Sequence, residues 1–251
     1  MDRKFRLRSG TVVGRSHMLS GKNCQDALVF SQFEWLRGDF VVGVICDGCS
    51  EGKSSEIGAK MTSQFVLKEV TELLKLGCGK NLLPRLLFAK TLAFLEQIAS
   101  GFGFSPKERL KFIEDHLLFT VLTLIKTPDE VFVLAYGDGV VVINDEVDFR
   151  DQGDAPFYMG YHLIGTQLLK SGKTPLPFGF DIYSTSTKGL KRLAIASDAW
   201  RDEGKIFSEV WGITHPNGLQ RKMNVWSNRE HRFTDDASII VVEEDPDGIR
   251  D

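Results

Sequence analysis

Apolar residues recur along this chain with two different periods. In residues 54–76, Ile57, Met61, Phe65, Val66, Val70, Leu73 and Leu74 fall three and four positions apart, the spacing of one face of a helix. Ser54 or Ser55 supplies an N-cap, and Gly77 a stop. Residues 82–99 repeat the pattern with Leu83, Leu86, Leu87, Leu92 and Leu95, and residues 106–116 form a shorter helix opened by Pro106. All three are expected to lay an apolar face on a sheet.

Elsewhere the period shortens to that of strands. Residues 4–13, 27–30, 40–46, 140–143, 193–197 and 237–243 read as strands, while 119–125 and 131–136 form a hairpin around Thr127, Pro128 and Asp129. Residues 14–21 read as a polar turn carrying His17, and further helices are expected over 206–211 and 219–226. Residues 151–187 mix Gly and Pro with scattered aromatics, so they are expected to cover or border a site. The acidic residues 244–251 are expected to fray as a tail, leaving residues 1–243 as one domain.

Composition narrows the class. A chain of 251 residues with 42% hydrophobic and 26% charged content can bury a large core. Its net charge of -3 gives no electrostatic footprint for nucleic acid or an anionic membrane. Arg3, Lys4, Arg6 and Arg8 alternate with Phe5 and Leu7, which describes an edge strand with a charged face. No stretch approaches the ~20 apolar residues of a membrane span, and no apolar signal core follows the N-terminal charges, so a cytoplasmic protein is expected. The four cysteines, Cys24, Cys46, Cys49 and Cys78, fit a reducing compartment. Cys46 and Cys49 form a CxxC, yet they neither open a helix directly, as a redox pair should, nor have the second ligand pair of a zinc site.

The candidate chemistry lies in carboxylates. Asp26, Asp47, Asp138, Asp198 and Asp235 each stand where an apolar strand meets a turn. Each alone is an ordinary turn residue; brought together, they would repel one another unless cations intervened. An all-oxygen set favours hard ions such as Mg²⁺ or Mn²⁺.

In order, the segments GKNCQDA (21–27), VICDGCSEG (44–52), FTVLTL (119–124), LAYGDG (134–139), LAIASDAWRD (193–202) and FTDDASIIVV (233–242) resemble the metal-dependent Ser/Thr protein phosphatases of the type 2C family. The SHxxxGxxCQDA pattern is similar to a bacterial branch of it. That resemblance implies an α+β fold, a four-layer α/β/β/α sandwich of two antiparallel sheets flanked by helix pairs, with two Mn²⁺ or Mg²⁺ ions at one end. It implies that Asp47 bridges the ions, that the Gly48 carbonyl contributes, and that Asp198, Asp235 and Asp26 complete the set. Asp138 and Asp202 match acids that hold a weaker third ion in some members. Hydrolysis of phosphoserine or phosphothreonine by a metal-activated water, with no covalent enzyme intermediate, is the implied reaction. The implied partner is a phosphorylated protein, the product of a Ser/Thr kinase, and a monomer is expected.

Several positions depart from the family pattern. Gly21 occupies the place of an arginine that grips phosphate, with Lys22 or Arg15 as substitutes. Cys49 occupies the place of a histidine or methionine, with His17 as the substitute general acid. Gly139 replaces a common serine, Ala199 a glycine, and Asp236 an asparagine. A pseudophosphatase serving as a regulatory binding partner and a phosphoesterase acting on small molecules are the rival readings.

Overall fold

The computed structural model describes residues 4–36, 38–153, 156–164, 175–203 and 207–245, the side chains of Asp202 and Glu203 excepted. Its strands are β1 (Phe5–Val12), β2 (Ala27–Trp35), β3 (Gly38–Cys46), β4 (Val121–Lys126), β5 (Glu130–Tyr136), β6 (Gly139–Ile143), β7 (Glu146–Arg150), β8 (Asp181–Ser186), β9 (Arg192–Ala196) and β10 (Ala237–Glu244). Its α-helices are α1 (Arg15–Ser20), α2 (Ser55–Lys75), α3 (Leu83–Ser100), α4 (Pro106–His116), α5 (Phe207–Val210) and α6 (Gly218–Asn228). Short 3₁₀ turns cover Met159–Ile164, Thr187–Gly189 and Asp198–Glu203.

The strands form two five-stranded antiparallel sheets, ordered β1-β10-β9-β6-β7 and β2-β3-β4-β5-β8. Central strands have no polar face because both faces are covered. On β3, Val41 and Ile45 point into the layer between the sheets, while Val42, Val44 and Cys46 point toward the helices. On β10, Ile240 and Val242 fill the inter-sheet layer, and Ile239 and Val241 face the opposite side. This burial on both faces explains unbroken apolar runs where one-sided sheets would alternate. The sheets approach closely: a side chain at Gly43 would meet Ile240 Cδ1 at 2.8 Å.

Helix α2 lies on β2 and β3, α3 packs beside it and reaches Tyr136 of β5 through Phe88, and α4, which buries only Ile113, packs on α2 and α3 rather than on the sheet as expected. Helices α5 and α6 cover the first sheet, where Trp200, Phe207, Trp226 and Phe233 form one aromatic cluster. The result is the expected four-layer sandwich.

Local differences from the sequence reading have physical causes. Residues 15–20 are helical rather than a plain turn, a single short helix closed by Gly21 at φ 70°. The two unanticipated strands, β7 and β8, lie at the far edges of their sheets, where no buried face imposes a pattern. β1 is the predicted edge strand, with Lys4 exposed and Arg6 partly exposed, but Arg8 is not solvated: it is only 2% exposed and donates to Glu243 at 2.5 Å. β10 includes Glu244, and the Asp245 amide donates to the Lys4 carbonyl at 2.8 Å.

Candidate metal centre

Strand ends deliver the acids. Asp47 follows the last residue of β3, and its carbonyl accepts the Thr120 amide at 2.8 Å. Beyond it, the Cys49 amide donates to the Leu118 carbonyl at 2.9 Å, fixing the Asp47–Gly48–Cys49 turn against the entrance to β4. Gly48 is required by close approach: a Cβ there would stand 2.6 Å from Ser55 Oγ and 2.7 Å from the Gln25 carbonyl. Asp26 immediately precedes β2, whose first residue pairs with Cys46. Asp138 sits between Gly137 at φ 94° and Gly139 at φ 129°, a backbone only glycine adopts without strain on both sides of an acid. Asp198 begins the 3₁₀ turn after β9, and Trp200, two residues on, anchors that turn in the aromatic cluster.

These acids converge. The carboxyl of Asp47 is held well above the usual range by burial first, and then by the charges of Asp26, Asp198, Asp138 and Asp235. Asp198 is raised by burial and by Asp235, with Arg201 opposing the shift. Burial and Asp198 push Asp138 up to about 7. Asp26 is 4% exposed and strongly raised by burial. Ser238, Ser197 and Asp47 lie near enough to favour its charged form, yet neither carboxylate oxygen of Asp26 has a well-formed hydrogen bond among the described residues. A buried carboxylate with no donor is costly unless it is protonated or faces a cation.

The residue types and their placement therefore suit hard cations. Asp26, Asp47, Asp198 and Asp235, with the Gly48 carbonyl, offer an all-oxygen set, and Asp138 stands beside it. The Asp202 side chain lies outside the described residues.

A second cluster braces the first. The two oxygens of Asp236 accept from the Gly14 amide at 2.7 Å, the Gln25 amide at 2.6 Å and His17 Nδ1 at 2.8 Å. This carboxylate thus ties the start of α1, the residue before Asp26 and the residue after Asp235 into one knot. His17, Asp235 and Asp236 have ligand-type atoms within 4.8 Å of one another, but the donors to Asp236 already occupy both its oxygens. His17 is 5% exposed, with its Nδ1 committed to Asp236. Asp235 is half exposed, and its Oδ1 accepts the Asp236 amide at 2.8 Å.

Of the proposed cationic substitutes, Lys22 is exposed and its Nζ donates to the Ser50 carbonyl at 2.8 Å, so it stands over the turn that follows Asp47. Arg15 is exposed at the first position of α1. Two neighbours were not read from the sequence. Arg201 lies near Asp138 and Asp198 while pairing with Asp151 at 2.8 Å. Its signal was a cation flanked by acids inside the LAIASDAWRD segment. Tyr158 is close to Cys49, Asp47 and Asp138. It lies within the stretch expected to border a site, but no local pattern distinguished it. Cys46 and Cys49 are free thiols, and burial together with Asp26 and Asp47 pushes Cys46 up.

A sandwich of two antiparallel sheets with acids gathered at one set of strand ends is the architecture of a class of phosphatases. The fold matches a bacterial serine phosphatase at TM-score 0.61 and 13% identity, covering 98% of this chain and 100% of that one. It matches the serine/threonine phosphatase Stp1 from Staphylococcus aureus at TM-score 0.59 and 15% identity, over 96% of this chain and 95% of that one. PppA, a key regulatory component of T6SS in Pseudomonas aeruginosa, aligns at TM-score 0.57 and 14% identity, over 96% of this chain and 98% of that one. No curated protein matches the sequence. The family model for Protein phosphatase 2C matches residues 13–154, more than half of the chain. The chain belongs to the protein phosphatase 2C family.

Proposed function

We propose that this protein is a metal-dependent phosphatase that hydrolyses phosphoserine or phosphothreonine in protein substrates at a centre for two Mn²⁺ or Mg²⁺ ions. The observation that carries this reading is the gathering of Asp26, Asp138, Asp198 and Asp235 around Asp47, with Asp26 buried and without a well-formed hydrogen bond among the described residues. Family membership supports the reaction class.

In this reading Asp47, Asp198, Asp235 and Asp26, with the Gly48 carbonyl, would hold the ions. Asp138 and Asp202 attend a weaker third ion. Such ions, when bound, supply a nucleophile from water near neutral pH and screen the charge of the phosphoryl group. The chain's own residues do the remaining work. Asp236 and His17 hold Asp235 and the segment before Asp26 in register, which makes them positioning residues. Lys22, above the turn after Asp47, offers a positive charge to an incoming phosphate. Arg201 limits the mutual repulsion of Asp138 and Asp198.

The test is a calorimetric titration of Mn²⁺ into the wild type and Asp26→Asn, beside hydrolysis of a phosphothreonine peptide. Tight Mn²⁺ binding and turnover that both weaken in the variant are expected. Equal Mn²⁺ affinity in the two proteins would remove Asp26 from the centre. Wild-type protein that binds Mn²⁺ but turns over no ester would favour a regulatory binding partner, with Gly21 and Cys49 as the departures that silenced it.

A further inference from the structure

The turn that carries Asp138 has little stiffness of its own. Gly137 and Gly139 stand on either side of the acid, and glycine constrains its backbone torsions least of all residues. Strand register nevertheless sets the acid toward Asp198. Val140 pairs with Ala196 in the antiparallel β6–β9 ladder, and that register, continued by two residues, brings Asp138 opposite Asp198. What holds the turn comes from β7. Arg150 pairs with Gly139, and its guanidinium reaches back along the turn, where Nε donates to the Gly137 carbonyl at 3.0 Å. That carbonyl belongs to the planar peptide bond between Gly137 and Asp138, so fixing it fixes the direction in which the acid leaves the chain. The rest of the guanidinium is anchored on the other sheet. Nη1 donates to Tyr183 Oη at 2.6 Å and Nη2 to Asp181 Oδ2 at 2.6 Å, both on β8, and Tyr183 in turn donates to Asp148 on β7. β7 and β8 are edge strands of different sheets, so one side chain clasps the open edge of the sandwich.

We propose that Arg150 is a positioning residue of the metal centre: clamped on Asp181 and Tyr183, it fixes the Gly137 carbonyl and so holds the Asp138 carboxylate in the direction of Asp198, where a cation can use it. The inference rests on the reading of these acids as metal ligands. Geometry, not charge, is what the residue supplies. The rigid planar fork of a guanidinium meets three acceptors at once with little further ordering, whereas the compact ammonium of a lysine, on its flexible stem, does not span them. The Arg150 side chain is 10% exposed and that of Asp181 67%, so the buried end of the clasp is the one that faces the turn.

The test titrates Mn²⁺ by calorimetry into the wild type, Arg150→Lys, Asp138→Asn and the double variant. Asp138→Asn marks the Mn²⁺ binding step that this acid serves. Arg150→Lys keeps the charge and removes the fork; it should weaken that same step by about 10-fold, the usual effect of losing a group that orients a metal ligand, and leave every other step at wild-type affinity. In the double variant it should add nothing, because a residue that acts through Asp138 then has nothing left to position. Should Arg150→Lys not fold, Asp181→Ala decides in its place: it removes an exposed side chain and leaves the guanidinium present but unclamped, with the same two expectations. Unchanged Mn²⁺ affinity in the deciding variant would overturn the proposal and leave the phosphatase reading standing. An equal loss with Asp138 present or replaced would also overturn it, because the clasp would then be structural. Asp138→Asn with every Mn²⁺ step intact would overturn it as well, since no ion would depend on the acid. A wild type that binds no Mn²⁺ would overturn both.

Discussion

Replacing Asp138 by asparagine should make the metal-free protein more stable at neutral and alkaline pH, and progressively less so in acid. In the folded chain, burial and the charge of Asp198 raise this carboxyl from 3.8 to about 7. Between those values the native state holds a proton that the unfolded state has released, so stability falls as pH rises. Well below pH 3.8 both states are protonated and the group costs nothing, and at pH 4 the cost is still small. Above pH 7 the full cost is present: at about 1.4 kcal/mol per pKa unit, the shift amounts to about 4 kcal/mol. For a chain of this size, that corresponds to a Tm difference of about 10 °C. Differential scanning calorimetry of wild type and Asp138→Asn in EDTA, from pH 4 to pH 8, is the assay. The two melting curves should coincide near pH 4 and separate steadily, with the variant higher, until pH 7. Parallel curves over that range would refute the reasoning, since they would mean that Asp138 carries no charge penalty in the folded state.

Asp236→Ala leaves the Gly14 and Gln25 amides and His17 without their common acceptor; a loss of about 3 to 5 kcal/mol is expected in chemical denaturation, and a loss below 1 kcal/mol would dismiss the knot. Trp200→Ala should cost about 3 to 5 kcal/mol by opening the aromatic cluster beneath Asp198. Trp200→Phe should cost much less, because the indole Nε1–H has no hydrogen-bond partner among the described residues; equal losses in the two variants would contradict this. At Gly58 a Cβ would lie 2.0 Å from the His116 carbonyl, so Gly58→Ala should lower stability by about 1 to 3 kcal/mol in a urea titration through overpacking of α2 on α4.

What could be read in advance follows from how strongly each residue is constrained. Helices α2 and α3 were legible because each buries an apolar stripe, and burial writes a period into sequence, whereas α4, which buries only Ile113, was legible from Pro106 at its first turn. β3, β5, β9 and β10 were legible as β-branched runs for the same reason, being covered on both faces. β7 was not, since its residues are mostly exposed at a sheet edge, and α1 was not, since it buries little besides His17. The acids at strand ends were legible individually, and their convergence only through the family resemblance: strand order between two sheets leaves no local trace. Asp236 shows the limit most clearly. As a sequence feature it was a minor departure from asparagine, whereas in the fold it accepts from residues more than two hundred positions away.

The most direct test of the central claim is hydrolysis of a phosphothreonine peptide by wild type and Asp47→Asn, each with Mn²⁺, with Mg²⁺ and with EDTA. Asp47 faces four other carboxylates, so its neutral amide should relieve repulsion in the metal-free protein and leave it folded. Metal-dependent turnover in the wild type, reduced in the folded variant to the level seen in EDTA, is the predicted result. Turnover that survives EDTA, or survives the loss of the Asp47 charge, would contradict it.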